Sequence, residues 1–280
     1  MSLSRKDFMK VAGLGLAAGL VPAATVSAFA QATPAKNLPI PLGLASYTMH
    51  KFSLDDTLKY SKRIGLTHIA LKDVHLPLTS TPEQISEAVA KVKAAGLNLY
   101  GAGVIYMKSE EEVKRAFNYA KLMGIQTIIG VPNYELLPLV DKLVKEQNIK
   151  LAIHNHGPGD KVYPSPDTVY ERIKSFDKRI GLCIDIGHTV RIGQDPAKMA
   201  QKYADRLYDV HLKDVTGNTG KDSPLEIGRG VIDIPGFLRT LVKIKYQGVL
   251  GLEYEKDAND PVPGLAESVG YTRGVFRMLA

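Results

Sequence analysis

Four residues of metal-binding type each stand at the C-terminal end of a short apolar run: His154, Asp185, His211 and Glu253. Strand side chains alternate between two faces, so each run can be split by parity. In 150–154, Leu151 and Ile153 share one face while Ala152 and His154 share the other. In 179–185, Ile180, Leu182 and Ile184 oppose Gly181, Cys183 and Asp185; in 248–253, Leu250 and Leu252 oppose Val249, Gly251 and Glu253. The large aliphatic face is the one that packs on helices, which turns the polar ends inward. Two imidazoles and two carboxylates form a mixed nitrogen and oxygen set suited to manganese, cobalt, zinc or iron(II). Magnesium favours oxygen-rich, partly hydrated sites, and the two histidines count against it. One such histidine would be read as a satisfied core residue. Four coordinating types on inward strand ends, two of them carboxylates that are costly to bury alone, point to a bound cation.

A second ring of polar residues lies close by in the sequence. His156 is two residues beyond His154 and shares its face, and His188 follows in Asp185-Ile186-Gly187-His188. Lys213 lies two beyond His211, with Asp214 next, and Lys72 ends the second run in line with His68 and Ala70. Glu253, His188 and Lys72 are the candidates for moving protons. His156, Lys213 and Arg191 are the candidates for holding a substrate. The structural alternatives are supporting hydrogen bonds for His156 and Asp214, and exposed loop charges for Lys213 and Arg191.

These residues need a framework that brings strand ends together. Strand patterns cover 40–46, 67–72, 97–103, 126–130, 150–154, 179–185, 206–211 and 248–253. Amphipathic helical patterns alternate with them at 54–64, 82–95, 109–123, 134–146, 166–175, 195–204, 235–244 and 264–278. Ser53 and Thr81-Pro82 are start signals, and Gly65, Gly96 and Gly124 are stop signals. Eight β-then-α units predict an α/β fold, a single (β/α)8 TIM barrel over 38–280 whose site lies at the strands' C-terminal rim. An open doubly wound sheet would carry a phosphate-binding glycine loop after its first strand, and Gly43-Leu44-Ala45-Ser46 is not one. The longest stretch without a helical pattern, 214–234, is expected to shape the entrance.

Composition narrows the function. Lys and Arg total 36 against 29 Asp and Glu, a mild cationic excess of +7. No basic run is interleaved with aromatics, so nucleic acid is not expected as a partner. The one cysteine, Cys183, excludes an intramolecular disulfide and a zinc site built on cysteine pairs.

Over 38–280 the chain resembles the xylose-isomerase-like barrels of the sugar phosphate isomerase/epimerase type. The motifs that carry the resemblance are His154-Asn155-His156-Gly157, Asp185-x-x-His188 and His211-Leu212-Lys213-Asp214. Gly228-Arg229-Gly230 with Asp233, and Gly251-Leu252-Glu253-Tyr254-Glu255, complete them. The resemblance implies one divalent ion, manganese first, held at the positions of His154, Asp185, His211 and Glu253, with His188 as a substrate contact. His154 stands where the family has a glutamate. Family epimerases use that glutamate and the one at position 253 as opposed bases, so this chain keeps one of the pair. The implied chemistry is proton transfer at carbon next to a carbonyl, in a metal-dependent isomerase, epimerase or keto-sugar (de)hydratase acting on a sugar or keto-sugar. A non-catalytic sugar-binding barrel is the alternative reading. A phosphodiesterase of the abasic-endonuclease type is a weaker one, because it needs more ligands than strands 2–4 offer.

The first thirty residues read as a targeting segment. Arg5, Lys6 and Lys10 precede an apolar stretch over 11–30 that ends in Ala28-Phe29-Ala30 before Gln31. Ser4-Arg5-Lys6-Asp7-Phe8-Met9-Lys10 resembles the twin-arginine motif, with Lys6 in place of the second arginine. Residues 1–30 are therefore expected to be a cleaved signal peptide and 31–37 a short linker. The protein is expected to be periplasmic or otherwise exported, with no membrane attachment after cleavage. Export favours a free or oxidised sugar, because phosphorylated sugars are mainly cytoplasmic. N-terminal sequencing of the exported protein should begin at Gln31 or within a few residues; an intact Met1 on soluble cytoplasmic protein would contradict this.

Overall fold

The computed structural model describes residues 38–279, and the expected signal peptide (1–30) and linker (31–37) lie outside the described residues. Eight parallel strands close into a barrel: β1 (Leu42–Ala45), β2 (His68–Leu71), β3 (Asn98–Met107), β4 (Thr127–Pro132), β5 (Lys150–His154), β6 (Ile180–Asp185), β7 (Leu207–Leu212) and β10 (Leu250–Leu252). The remaining two, β8 (Asp214–Val215) and β9 (Pro224–Leu225), form a small antiparallel hairpin beside it. Barrel order runs β1-β10-β7-β6-β5-β4-β3-β2, so the four strands bearing the ligand candidates are adjacent.

Local sequence accounts for the boundaries. The Ser53 hydroxyl accepts from the Asp56 amide at the start of Leu54–Ile64, and Thr81 with Gln84 closes a capping box on Pro82–Ala94. Gly65 and Gly124 end their helices at φ of 84° and 70°, a region in which a Cβ is unfavourable. The helices bury one face against the outer side of the sheet. In Glu110–Met123 that face is Val113, Ala116, Phe117, Ala120 and Met123. Inside the barrel, small residues make room for large ones. A Cβ on Gly43 would stand 2.7 Å from Val249 Cγ1, and one on Gly251 would stand 2.7 Å from Tyr100 Oη.

The structure departs from the sequence expectation in three places. The third strand continues past Gly103 to Met107. A short helix, Ile186–Arg191, follows β6 directly. The 214–234 connection is ordered around one buried carboxylate. Asp214 Oδ1 accepts from the amides of Val215 (2.9 Å) and Ile232 (3.3 Å), and Oδ2 accepts from those of Gly228 and Gly230 (both 2.9 Å). Asp214 therefore folds the loop rather than meeting a substrate, and a Cβ on Gly230 would collide with it.

Asp214→Asn keeps the volume but turns an N–H2 toward amides that need an acceptor. Each unpaired buried amide costs about 1–3 kcal/mol, so two of them should lower the unfolding free energy by about 2–6 kcal/mol in urea titration. An unchanged midpoint would contradict the loop-organising role.

Candidate metal centre and active site

The period-two alternation places the last inward side chains of β5, β6 and β7, and the residue after β10, around one point. The His154 Nε2 and His211 Nδ1 atoms are 3.1 Å apart, His211 Nδ1 and Glu253 Oε2 are 3.1 Å apart, and His154 Nε2 and Asp185 Oδ2 are 3.5 Å apart. One donor atom from each of the four residues lies within 4.8 Å of the others, and all four residues are buried. Donors bonded to one ion at about 2.0–2.2 Å stand roughly 3.4 Å apart in a tetrahedral set. These separations fit that spacing, and Asp185 Oδ2 has no hydrogen-bond partner. Among the described residues, the other three-residue ligand group, His154, Cys183 and His211, shares two of the same residues. There is therefore one centre.

Neighbouring groups hold the donors in place. Asp185 caps the helix that follows it: Oδ1 accepts from the His188 amide at 2.7 Å, which leaves Oδ2 for the cluster. Asn155 ties two strand ends together. Its Oδ1 accepts from the Asp185 amide (3.1 Å), and its Nδ2 donates to the Asp185 carbonyl (3.4 Å).

The electrostatics follow from burying several carboxylates together. Burial alone would raise Asp185 and Glu253, but both are held well below the usual carboxylate range. Lys213, His188 and His154 do this for Asp185, and Lys213 and His211 for Glu253. Burial lowers His154 to about 3, so its ring is neutral and can offer a lone pair. Burial also pulls His211 down, yet Glu253, Asp209 and Asp185 outweigh it and push it up to about 9. In the absence of a metal ion the cluster thus draws a proton onto His211. An excess of negative charge of this kind is what a divalent cation neutralises.

Lys213 is fully buried, against the exposed-loop alternative. Its ammonium lies 2.6 Å from Glu255 Oε2, 2.9 Å from Glu253 Oε2 and 3.2 Å from Asp185 Oδ2. Lys72, His156, His188, Lys213 and Glu253 all line a cavity of about 340 Å³ above the cluster. Arg191, expected as a substrate contact, is not among the lining residues. Its guanidinium donates to the Asp222 carbonyl at 2.8 Å and so fastens the hairpin loop. A larger hollow of about 470 Å³, at the strands' N-terminal end near Lys150 and Gln247, gathers no ligand set.

Four residues of the site escaped the sequence reading. Tyr47, Tyr106 and Glu255 line the same cavity. Asp209 lies beneath it, fully buried, with its Oδ2 accepting from Cys183 Sγ at 3.3 Å and standing 3.6 Å from His211 Nε2. Burial raises Asp209 to about 6. Its signal was present, since it shares the His211 face of β7. A carboxylate behind a ligating imidazole favours the proton on the far nitrogen and leaves Nδ1 of His211 as a donor to a metal.

Residues 58–275 match the family described as the xylose isomerase-like TIM barrel. The chain belongs to that family. It is similar to the rhizopine catabolism protein MocC of Rhizobium meliloti, with 29% identity over 52% of this chain and 48% of that one. It is also similar to the inosose dehydratase of Clostridium tetani, with 32% identity over 41% of this chain and 44% of the relative. The chain thus spans about half the length of these curated relatives. Among solved structures, the IolI protein with a bound zinc atom superposes with a TM-score of 0.72 at 14% identity, over 86% of this chain and 99% of that one. That likeness shows the barrel fold alone.

Metal analysis of the purified protein should give about one divalent ion per chain, with strong loss in Asp185→Ala or His211→Ala. Asp209→Asn should keep that stoichiometry but weaken chelator-measured affinity by about 10–100-fold. Unchanged metal content in Asp185→Ala and His211→Ala together would remove the assignment.

Proposed function

We propose that the chain is a metal-dependent enzyme that moves protons at carbon next to the carbonyl of a free or oxidised sugar, as an isomerase, epimerase or (de)hydratase. The observation that carries this reading is Glu253, a buried carboxylate kept ionised by Lys213 and His211 at the floor of a cavity of sugar size. His154, Asp185, His211 and Glu253 would hold the ion. Manganese is the proposed metal, and the zinc in the IolI structure supports zinc as the alternative, with cobalt and iron also suited to this donor set. When bound, the ion supplies Lewis-acid polarisation of a substrate carbonyl.

The protein's own groups divide the remaining work. Glu253 takes the α proton. Lys213, anchored on Glu255 at 2.6 Å, presents its ammonium to substrate oxygens. His188 lines the wall beside Asp185, and Lys72, whose Nζ donates to the Val104 carbonyl, faces it from the β2 side; both are placed to contact hydroxyls or donate protons. His156, expected as a substrate contact, lines the β5 rim of the same cavity with its Nε2 on the Tyr106 hydroxyl.

The imidazole at position 154 separates the possible outcomes. Family epimerases set a carboxylate there against the one at 253, whereas a neutral His154 ring can ligate but is a poor opposing base at neutral pH. One carboxylate base suffices for dehydration or isomerisation, and the similarity to an inosose dehydratase supports this branch. The targeting segment at residues 1–30 supports an exported enzyme, and hence an unphosphorylated substrate such as inosose or a 3-keto sugar.

In deuterated water the metal-loaded protein should place deuterium at the α carbon of a competent keto sugar. Glu253→Gln should retain some metal and lose exchange by about 10²-fold or more, the scale of a missing general base. Full exchange in that variant would move the base elsewhere. No exchange by the wild type across inososes and 3-keto sugars would leave the binding-barrel reading in its place.

A further inference from the structure

Glu253 accounts for the proton on carbon, but isomerisation and dehydration each also move a proton on oxygen. A second proton-transfer unit stands at the cavity rim on β3 and the β5 loop. The Tyr106 hydroxyl lies 2.8 Å from His156 Nε2, with the two rings stacked at 5.5 Å. On the other side of the imidazole, Asp160 Oδ2 faces Nδ1 at 3.7 Å. Asp160 is fixed in that position because its Oδ1 accepts from the amides of Val162 (2.7 Å) and Tyr163 (2.6 Å). A carboxylate beside Nδ1 favours the ring tautomer with its proton there, leaving Nε2 to accept from the tyrosine. Carboxylate, imidazole and hydroxyl in a row is the arrangement by which a hydroxyl is activated.

We propose that Tyr106 is a catalytic residue, the group that moves the oxygen-bound proton between two oxygens of the substrate, with His156 and Asp160 as the positioning residues that hold its hydroxyl. The assignment rests on the proton-transfer reading of the site above. Tyr106 and Glu253 line one cavity, and the carboxylates of both Asp160 and Glu253 act on the tyrosine hydroxyl, after burial, to keep it protonated at rest.

In an isomerisation, the O–H bond of a substrate hydroxyl breaks as its proton joins Tyr106 Oη. The proton Tyr106 held forms a bond to the former carbonyl oxygen. The electron pair left on the substrate oxygen becomes the new carbonyl bond. Glu253 returns its proton to the former carbonyl carbon. Two substrate carbons exchange oxidation state, and no outside oxidant or reductant takes part. In a dehydration Tyr106 gives its own hydroxyl proton to the departing hydroxyl, which leaves as water, and the proton that Glu253 took from carbon restores Tyr106 through solvent.

The decisive variant is Tyr106→Phe, which removes one oxygen from a half-exposed rim residue and keeps the ring. With manganese-loaded full-length protein and inosose, or a 3-keto sugar if that is the one exchanged, α-carbon deuterium incorporation should persist near the wild-type rate. Product formation should fall by about 10²-fold or more, since a positioned acid–base group contributes on that scale. Asp160→Asn should lower kcat less, with KM unchanged and metal content retained. Exchange and turnover falling together in Tyr106→Phe, or neither falling, would overturn the assignment. Absence of exchange in the wild type would instead remove the reaction on which it rests.

Discussion

The site depends on holding Asp185 and Glu253 together, out of water and ionised. A buried carboxylate without a partner is strongly disfavoured, and two near each other are worse. Each feature around them answers that cost. Lys213 reaches both from the position just after β7, His211 takes up a proton between them, and Glu255 balances Lys213 in turn. Asp185 spends one oxygen on the amide of His188, so only the other faces the cluster. The small inner residues Gly43 and Gly251 leave room for Tyr100 beneath, and the strand ends can then close on the donors.

The same constraint explains how one residue type can alter the chemistry without altering the fold. A glutamate at position 154 would add a third negative charge beside Asp185. An imidazole there supplies a donor lone pair and no charge, because burial keeps it neutral. The substitution therefore leaves the centre electrostatically easier to assemble and removes one carboxylate base. In the proposed reaction carbon-bound protons then fall to Glu253, and oxygen-bound protons need another group. The tyrosine and imidazole at the rim stand where such a group can reach the cavity.

Much of this was legible in the sequence because period-two alternation and strand ends are local properties. The eight strands and their helices, and the convergence of His154, Asp185, His211 and Glu253, follow from parity and barrel closure alone. What escaped depends on partners distant in sequence or on a misplaced boundary. Tyr106 was missed because Gly103 was read as the end of β3, although Val104-Ile105-Tyr106-Met107 is a strand-forming run. The burial of Lys213 could not be read locally, since it is set by carboxylates from β6 and the segment after β10. Arg191 looked like a substrate contact from its place after His188, and is turned to the Asp222 carbonyl by the short helix between them.

On the proposed assignment, the four buried donors hold one divalent cation. Anomalous diffraction at the metal edge, from crystals grown with manganese and separately with zinc, tests it most directly. One peak is expected within about 2.0–2.3 Å of His154 Nε2, Asp185 Oδ2, His211 Nδ1 and Glu253 Oε2, with the Lys213 ammonium remaining on Glu255. A peak elsewhere, or no peak with Lys213 still bridging Asp185 and Glu253, would contradict it.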